Sequence, residues 1–210
     1  MRVAILIFDR ITALDAIGPY EVLSRLPDAE VVFVSEHAGM KRSDRGSLGL
    51  HADRSIDEVT AADILVVPGG PGAREDVVKN PRVLEWVRDI DRGTTWTTSV
   101  CTGAIVLGAA GLLRGLDATT HWAHLERLRD YGANPVSRRV VEQGKIITAA
   151  GVSSGIDMAL RLAQIVAGDR VAQSLQLWIE YDPAPPFDSG SPAKASAETI
   201  RLTRSMMTPR

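Results

Sequence analysis

Cys101 is the one cysteine among 210 residues, and it falls at a join that suits a nucleophile. The run before it, Thr94-Thr95-Trp96-Thr97-Thr98-Ser99, is β-branched and aromatic and predicts a strand. The run after it, residues 104–113, is apolar and predicts a buried helix. A sharp strand-to-helix turn at Ser99-Val100-Cys101-Thr102-Gly103 would lift the sulfur above the sheet. The free N–H groups and dipole of the following helix would favour thiolate over thiol. A lone cysteine is also a common small core hydrophobe, but packing alone does not require this join.

Three further features could complete a site. Asp15 stands in Leu14-Asp15-Ala16-Ile17-Gly18-Pro19. Pro19 denies the Asp15 carbonyl its helical partner, so an irregular turn with an inward carboxylate is expected. A first-turn aspartate favoured by the helix dipole is the plainer explanation of the same residue. Gly69-Gly70, before Pro71, lets backbone approach a ligand, and the Gly70 N–H is expected to be free. With the Thr102 N–H it could hold charge on an intermediate. His121 is the candidate base, and with Trp122 a candidate for the pocket wall; a satisfied structural histidine beside Trp122 fits the same residue equally well. A Cys–His pair would give hydrolase chemistry, but the residue beside Cys101 is Thr102. His37, His51 and His124 form no ligand-spaced cluster with the cysteine, so no metal site is expected.

The elements that must position these residues alternate strand and helix. Strands are expected at 2–8, 30–35, 64–67, 94–99 and 118–120, and a hairpin at 140–142 and 146–148 around Gln143-Gly144. Residues 40–56 read as a hairpin or loop excursion, and Pro68-Gly69-Gly70-Pro71-Gly72 as a turn. Helices are expected at 12–26, 81–91, 123–131, 155–166, 169–179 and 195–206, the fourth capped by Ser153 or Ser154. Residues 182–192 are too rich in proline and glycine for regular structure. The alternation implies an α/β three-layer sandwich, with a mostly parallel sheet and helices on both faces. In such sheets ligands sit beyond the carboxyl ends of the strands. Asp15, Gly69-Gly70 and Cys101 each follow a strand end, so they are expected to converge.

The bulk composition excludes several classes. A length of 210 residues suits one domain spanning 1–210. A net charge of −2 leaves no electrostatic footprint for nucleic acid or a membrane surface. Arg138-Arg139 and the arginines near the C-terminus read as solvated surface. One cysteine permits no internal disulfide, and the N-terminal apolar run is too short for a signal peptide, so a cytoplasmic protein is expected.

These residues resemble the ThiJ/PfpI superfamily, a glutamine-amidotransferase-like (flavodoxin-like) fold with a cysteine at its elbow. Within it, the chain is most similar to the isocyanide (isonitrile) hydratases. The resemblance rests on Leu14-Asp15 with Gly18-Pro19, Pro68-Gly69-Gly70, and Ser99 through Leu113. It rests also on Ala118-Thr119-Thr120-His121-Trp122, Gly155-Ile156-Asp157, and Glu180-Tyr181 with Pro183-Ala184-Pro185-Pro186-Phe187 and Gly190-Ser191-Pro192. Most of the superfamily places glutamate where Asp15 stands, whereas these hydratases use aspartate. Protease-like members carry histidine after the cysteine, and Thr102 departs from that. Asp182 and a shorter C-terminus depart from the hydratase pattern.

The resemblance implies hydro-lyase chemistry: hydration of an isocyanide to an N-formamide through a covalent thioimidate on Cys101. Asp15 would be the general acid and base, and Thr102 would position water. The turn at Gly151-Val152-Ser153 would bring Val152 near the sulfur. No metal or organic cofactor is implied, the partner is a small-molecule isocyanide, and a homodimer is expected. Two other functions fit the same scaffold. A glyoxalase or deglycase would normally carry the glutamate that is absent here. A ligand or redox sensor would use Cys101 without turnover. The elbow and Thr-Thr-His-Trp pieces also resemble the sensing domain of AraC-type regulators. No helix-turn-helix follows them in this sequence, so DNA binding is not expected.

Overall fold

The computed structural model describes residues 1–207. They divide into two compact units, Met1–Ile179 and the segment from Glu180 onward. In the first unit β1 (Arg2–Leu6) leads to α1 (Ala13–Leu23), then β2 (Glu30–Ser35). A hairpin follows, β3 (Gly39–Arg42) and β4 (Gly49–Ala52), then the two-residue β5 (Arg54–Ser55). Next come β6 (Ile64–Val67), the short α2 (Pro71–Glu75) and α3 (Pro81–Gly93). β7 (Trp96–Val100) runs into α4 (Gly103–Ala109). Then come β8 (Asp117–Ala118), β9 (Asn134–Pro135), β10 (Val140–Gln143) and β11 (Ile146–Ala149). Helices α5 (Ser154–Ala167) and α6 (Asp169–Trp178) close the unit.

The main sheet has seven strands in the order β10-β11-β7-β6-β1-β2-β5, parallel except at β10. The central strands are buried on both faces, which explains why they read as unbroken apolar runs rather than alternating ones: β6 is Ile64-Leu65-Val66-Val67, with every residue fully buried. Helices α1, α5 and α6 pack together as one layer, and α2, α3 and α4 as the other. Two glycines set how closely the first layer packs. A Cβ on Gly155 would stand 3.0 Å from Val100 and 3.3 Å from Pro19 Cδ, and one on Gly18 would stand 3.1 Å from Ile156.

Several expectations need correction. α1 runs unbroken through Pro19, with Asp15 in its first turn, so no irregular turn forms. Helix α4 ends at Ala109 rather than 113, because the chain turns out at Gly111 with φ +84°. Thr119 and Thr120 leave the ladder after β8, which pairs only with β9. Residues 122–131 form a 3-10 helix, in which the Trp122–Tyr131 segment keeps i→i+3 bonds such as His124 N to His121 O at 2.8 Å. The turn at Pro68-Gly72 runs on into α2, with Pro71 in its first turn. Neither serine caps α5: Ser153 Oγ accepts from Arg139 Nη2 at 3.3 Å, and Ser154 Oγ is buried without a partner. The 39–52 and 140–149 hairpins form as expected.

The second unit holds an irregular stretch and then α7 (Ala197–Met207). Ser196 caps that helix by accepting from Thr199 N at 3.1 Å, and the irregular stretch carries an ion pair between Lys194 and Asp188 at 2.6 Å. Arg201 and Arg204 are exposed, as solvated surface should be, while Arg210 lies outside the described residues.

Candidate active site

The whole turn between β7 and α4 consists of Cys101 and Thr102. So short a turn forces Cys101 into the left-handed region, at φ +55°. That conformation costs an L-residue about 1–2 kcal/mol, so the surroundings must hold it. They do so from both sides. The Cys101 N–H donates to Ala150 O at 2.8 Å and Ala149 O at 3.1 Å. Its carbonyl accepts from Thr120 Oγ1 at 2.6 Å. Gly103 then lets α4 start flush against the end of β6, since a Cβ there would lie 1.9 Å from Val67 O.

Asp15 reaches the same spot from the first turn of α1 and is fully buried. Its Oδ2 accepts from Gly69 N at 2.9 Å, while Oδ1 is buried without a hydrogen-bond partner among the described residues. A Cβ on Gly69 would stand 2.4 Å from Thr102 N and 2.9 Å from Asp15 Oδ2. Only glycine therefore lets these three segments meet. The Gly70 N–H, expected to be free, donates instead to Thr102 Oγ1 at 2.8 Å, and that hydroxyl is also 3.2 Å from Gly70 O. The reason is local: the β-hydroxyl of the residue after the elbow points back across the glycine loop.

The electrostatics follow from this burial. Loss of solvent raises the Asp15 carboxyl from its ordinary 3.8 to about 8, against the Gly69 N–H and the Cys101 thiol, which lower it; the charge of Asp44 adds to the rise. The Cys101 thiol is also pushed up, first by burial and then by the Asp15 charge, while the Thr102 N–H pulls it down. The lowered thiol expected from the helix terminus is thus overturned. The helix N–H is there, but burial and a neighbouring carboxylate outweigh it. The charge of Asp15 vanishes when it holds a proton, so the acid and the sulfur anion are mutually compatible only in that form.

His121 packs one residue from the brace on each side. It follows Thr120, and a Cβ on Gly151, next to Ala150, would lie 2.8 Å from the His121 ring. Its Nδ1 accepts from Ala123 N at 3.3 Å, and burial and the Arg74 charge lower its pKa. Trp122 stacks obliquely on it, with ring centroids 5.6 Å apart, and Val152 packs partly buried against the core. The residues that sequence reasoning missed are Thr120 and Arg74. Thr120 lies inside the Thr-Thr-His-Trp piece, which hinted at a role without naming an atom. Arg74 carries no local signal.

Among the described residues no group of three or more His, Cys, Asp or Glu could hold a metal ion, and no helix is long and apolar enough to cross a membrane. A separate cavity of about 340 Å³ opens at the ends of β1 and β2, lined by Phe8, Glu36, Lys41 and Asn80 among others. Cys101 and Asp15 are not in its walls.

Comparison with known proteins places this arrangement. Residues 1–165 match the DJ-1/PfpI family. The chain is 41% identical over 209 residues to the isonitrile hydratase of Pseudomonas putida, covering 100% of this chain and 91% of that one. Its fold superposes on the crystal structure of a ThiJ/PfpI family protein from Pseudomonas syringae with a TM-score of 0.94 and 32% identity, over 98% of this chain and 85% of the other. Drosophila melanogaster DJ-1beta shares the fold at 20% identity, with a TM-score of 0.76 over 85% of this chain and 97% of its own.

Proposed function

The chain belongs to the DJ-1/PfpI family, and from that premise we propose that it hydrates isocyanides to N-formamides at Cys101, with Asp15 as acid and base. The observation that supports this reading most is the buried Asp15 carboxyl, whose pKa of about 8 leaves it protonated beside the thiol at neutral pH. An isocyanide needs that combination. Its terminal carbon accepts a nucleophile and becomes basic as the bond forms, so attack and protonation must happen at one atom. A general acid with a pKa near the working pH is the most effective donor for such a step.

The sulfur of Cys101 adds to the terminal carbon as Asp15 delivers its proton there, and the carboxylate so formed takes the thiol proton. The product is a thioimidate, R–N=CH–S–Cys101. Asp15 then protonates the imidate nitrogen and takes a proton from the water that adds to the carbon. In the last step Asp15 returns a proton to sulfur and receives one from the new hydroxyl. This expels the thiol and leaves R–NH–CHO. Every step starts and ends with a protonated Asp15, and the sum is isocyanide plus water.

The Thr102 N–H, already directed at the sulfur, is the first candidate to hold charge on the tetrahedral species. The Gly70 N–H becomes a second donor only if the Thr102 hydroxyl turns away from it. In the same reading Thr102 Oγ1 orients the attacking water, and His121, Trp122 and Val152 line the pocket. We take the protein to act as a cytoplasmic homodimer, where a single thiol stays reduced.

The test is direct. Wild-type protein incubated with cyclohexyl and tert-butyl isocyanides should yield the N-formamides, followed by the formyl proton in NMR. Cys101→Ala should yield none. Absence of formamide from a panel of isocyanides with correctly folded wild-type protein would end the proposal.

A further inference from the structure

Arg74 is a mostly buried cation with its hydrogen-bonding capacity unused. Only 16% of its side chain is exposed. Its one polar contact among the described residues is at 3.5 Å, to Oε1 of the adjacent Glu75. The other oxygen of Glu75 is taken by Arg10 at 2.7 Å. A guanidinium presents a rigid fork of N–H donors shaped for a carboxylate, and a single 3.5 Å contact leaves most of that fork unmatched.

Its helix packs on α4, the helix that starts at the Cys101 turn. Arg74 sits in α2, one helical turn after Gly70, whose amide bonds Thr102. Across from it stands the 121–124 segment, directly after Thr120, which grips the Cys101 carbonyl. The charge of Arg74 is felt at both His121 and His124: burial and Arg74 lower both, His124 to about 4, with Arg127 also lowering it and Glu75 raising it. Both imidazoles are therefore neutral at pH 7. His121 Nδ1 already accepts the Ala123 N–H, so in the neutral ring the proton sits on Nε2, as a donor. The elements that hold the Cys101 turn thus carry an under-used guanidinium and an imidazole N–H, and Glu75, the carboxylate paired with Arg74, is shared with Arg10.

Resting on the hydratase reading above, we infer that the substrate is an isocyanide bearing a carboxylate, which Arg74 and the His121 Nε2–H hold while its terminal carbon meets Cys101. The simplest members of the class are α-isocyano acids, whose hydration gives N-formyl amino acids. A neutral alkyl isocyanide would enter the same site without this anchor and bind more weakly.

The experiment compares the charged product with its neutral ester, so that it does not depend on turnover. N-formylglycine and N-formylglycine ethyl ester are titrated calorimetrically into wild-type protein, Arg74→Gln and Arg74→Lys at pH 7. Wild type should bind the acid at least tenfold more tightly than the ester. The gap should close to within about twofold in Arg74→Gln and partly survive in Arg74→Lys, which keeps the charge but loses the fork. Equal affinity for acid and ester in wild type, binding of neither, or an undiminished gap in Arg74→Gln would each overturn the inference. Failure to hydrate any isocyanide, in a protein that still shows the gap, would overturn the hydratase reading and leave the anion site in place.

Discussion

The two ends of the sheet each bury a cluster of carboxylate and hydroxyl groups, and the two clusters are built on opposite terms. At the amino end Asp91 Oδ1 accepts from Thr97 Oγ1 at 2.7 Å and pairs with Lys145 Nζ at 3.2 Å. Thr94 Oγ1 lies 2.7 Å from Thr97 Oγ1 and 3.0 Å from Asp91 O, and Lys145 also donates to Asp91 O. At the carboxyl end Asp15 has the Gly69 N–H and the Cys101 thiol beside it and, among the described residues, no cation and no hydrogen-bond partner for Oδ1. The first cluster is satisfied and fastens α3 to β7 and to the turn before β11. The second is fully buried and short of partners, and that burial moves the Asp15 proton into the neutral range, against the Gly69 N–H and the Cys101 thiol. Similar groups therefore give a clamp in one place and a proton donor in the other, according to how deeply the carboxylate is buried and whether its charge is answered.

The largest test of this contrast is to neutralise Asp15. Asp15→Asn keeps the shape but cannot give or take the proton, so isocyanide hydration should fall by about 10²–10⁴-fold. Its stability should move the other way. Unfolded Asp15 releases its proton near 3.8 and folded Asp15 near 8, so between these values the folded state holds the extra proton. Stability from this group is fully present below pH 3.8 and is lost as pH rises through 8. Cys101, shifted in the same direction, extends the loss to higher pH. Urea titrations of wild type at pH 5 and pH 9 should show a falling midpoint, and Asp15→Asn should flatten that fall. A variant that loses activity and is also less stable at pH 9 would contradict the view that this end of the sheet gives up stability for chemistry.

Much of this contrast was legible in the chain, and the rest failed for a common reason. The elbow at Cys101, the buried strands and both hairpins follow from local runs of β-branched, apolar and turn-forming residues, and the structure keeps them. The convergence of Asp15 and Gly69 on Cys101 follows from the rule for strand ends in a parallel sheet. The misread points depend on what lies across space. The thiol pKa turns on burial and on a carboxylate 86 positions earlier by the numbering of Asp15 and Cys101. The Gly70 amide is claimed by a hydroxyl from another loop. Pro19 sits inside an unbroken α1 and packs near Gly155, a neighbour 136 positions later in the numbering. Arg74 is ordinary in sequence and unusual only once its neighbours are known.

The amino-end cluster gives the matching test with a smaller effect. Asp91→Ala removes the acceptor of Thr97 and the partner of Lys145, leaving both short of bonds in a site where the Asp91 side chain is only 14% exposed. The expected cost is about 1–3 kcal/mol of folding stability, read from the denaturant midpoint. Turnover by the fraction that remains folded should stay within about twofold of wild type, since the cluster lies at the opposite end of the strands from Cys101. A loss of kcat comparable to that of Asp15→Asn would mean that the two ends are coupled and that the division drawn between them is wrong.

The smallest effect concerns the backbone under the sulfur. Cys101 holds φ +55°, a conformation glycine adopts freely and alanine does not. Cys101→Ala and Cys101→Gly both remove the thiol and should be equally inactive, so activity cannot separate them. Stability can. If Thr120, Ala149 and Ala150 hold the elbow against real strain, the glycine variant should equal or exceed the alanine variant by about 1 kcal/mol, despite the greater freedom glycine has when unfolded. An alanine variant more stable by a similar margin would show that the turn is relaxed. The strain at this end of the sheet would then be confined to the unanswered carboxyl of Asp15.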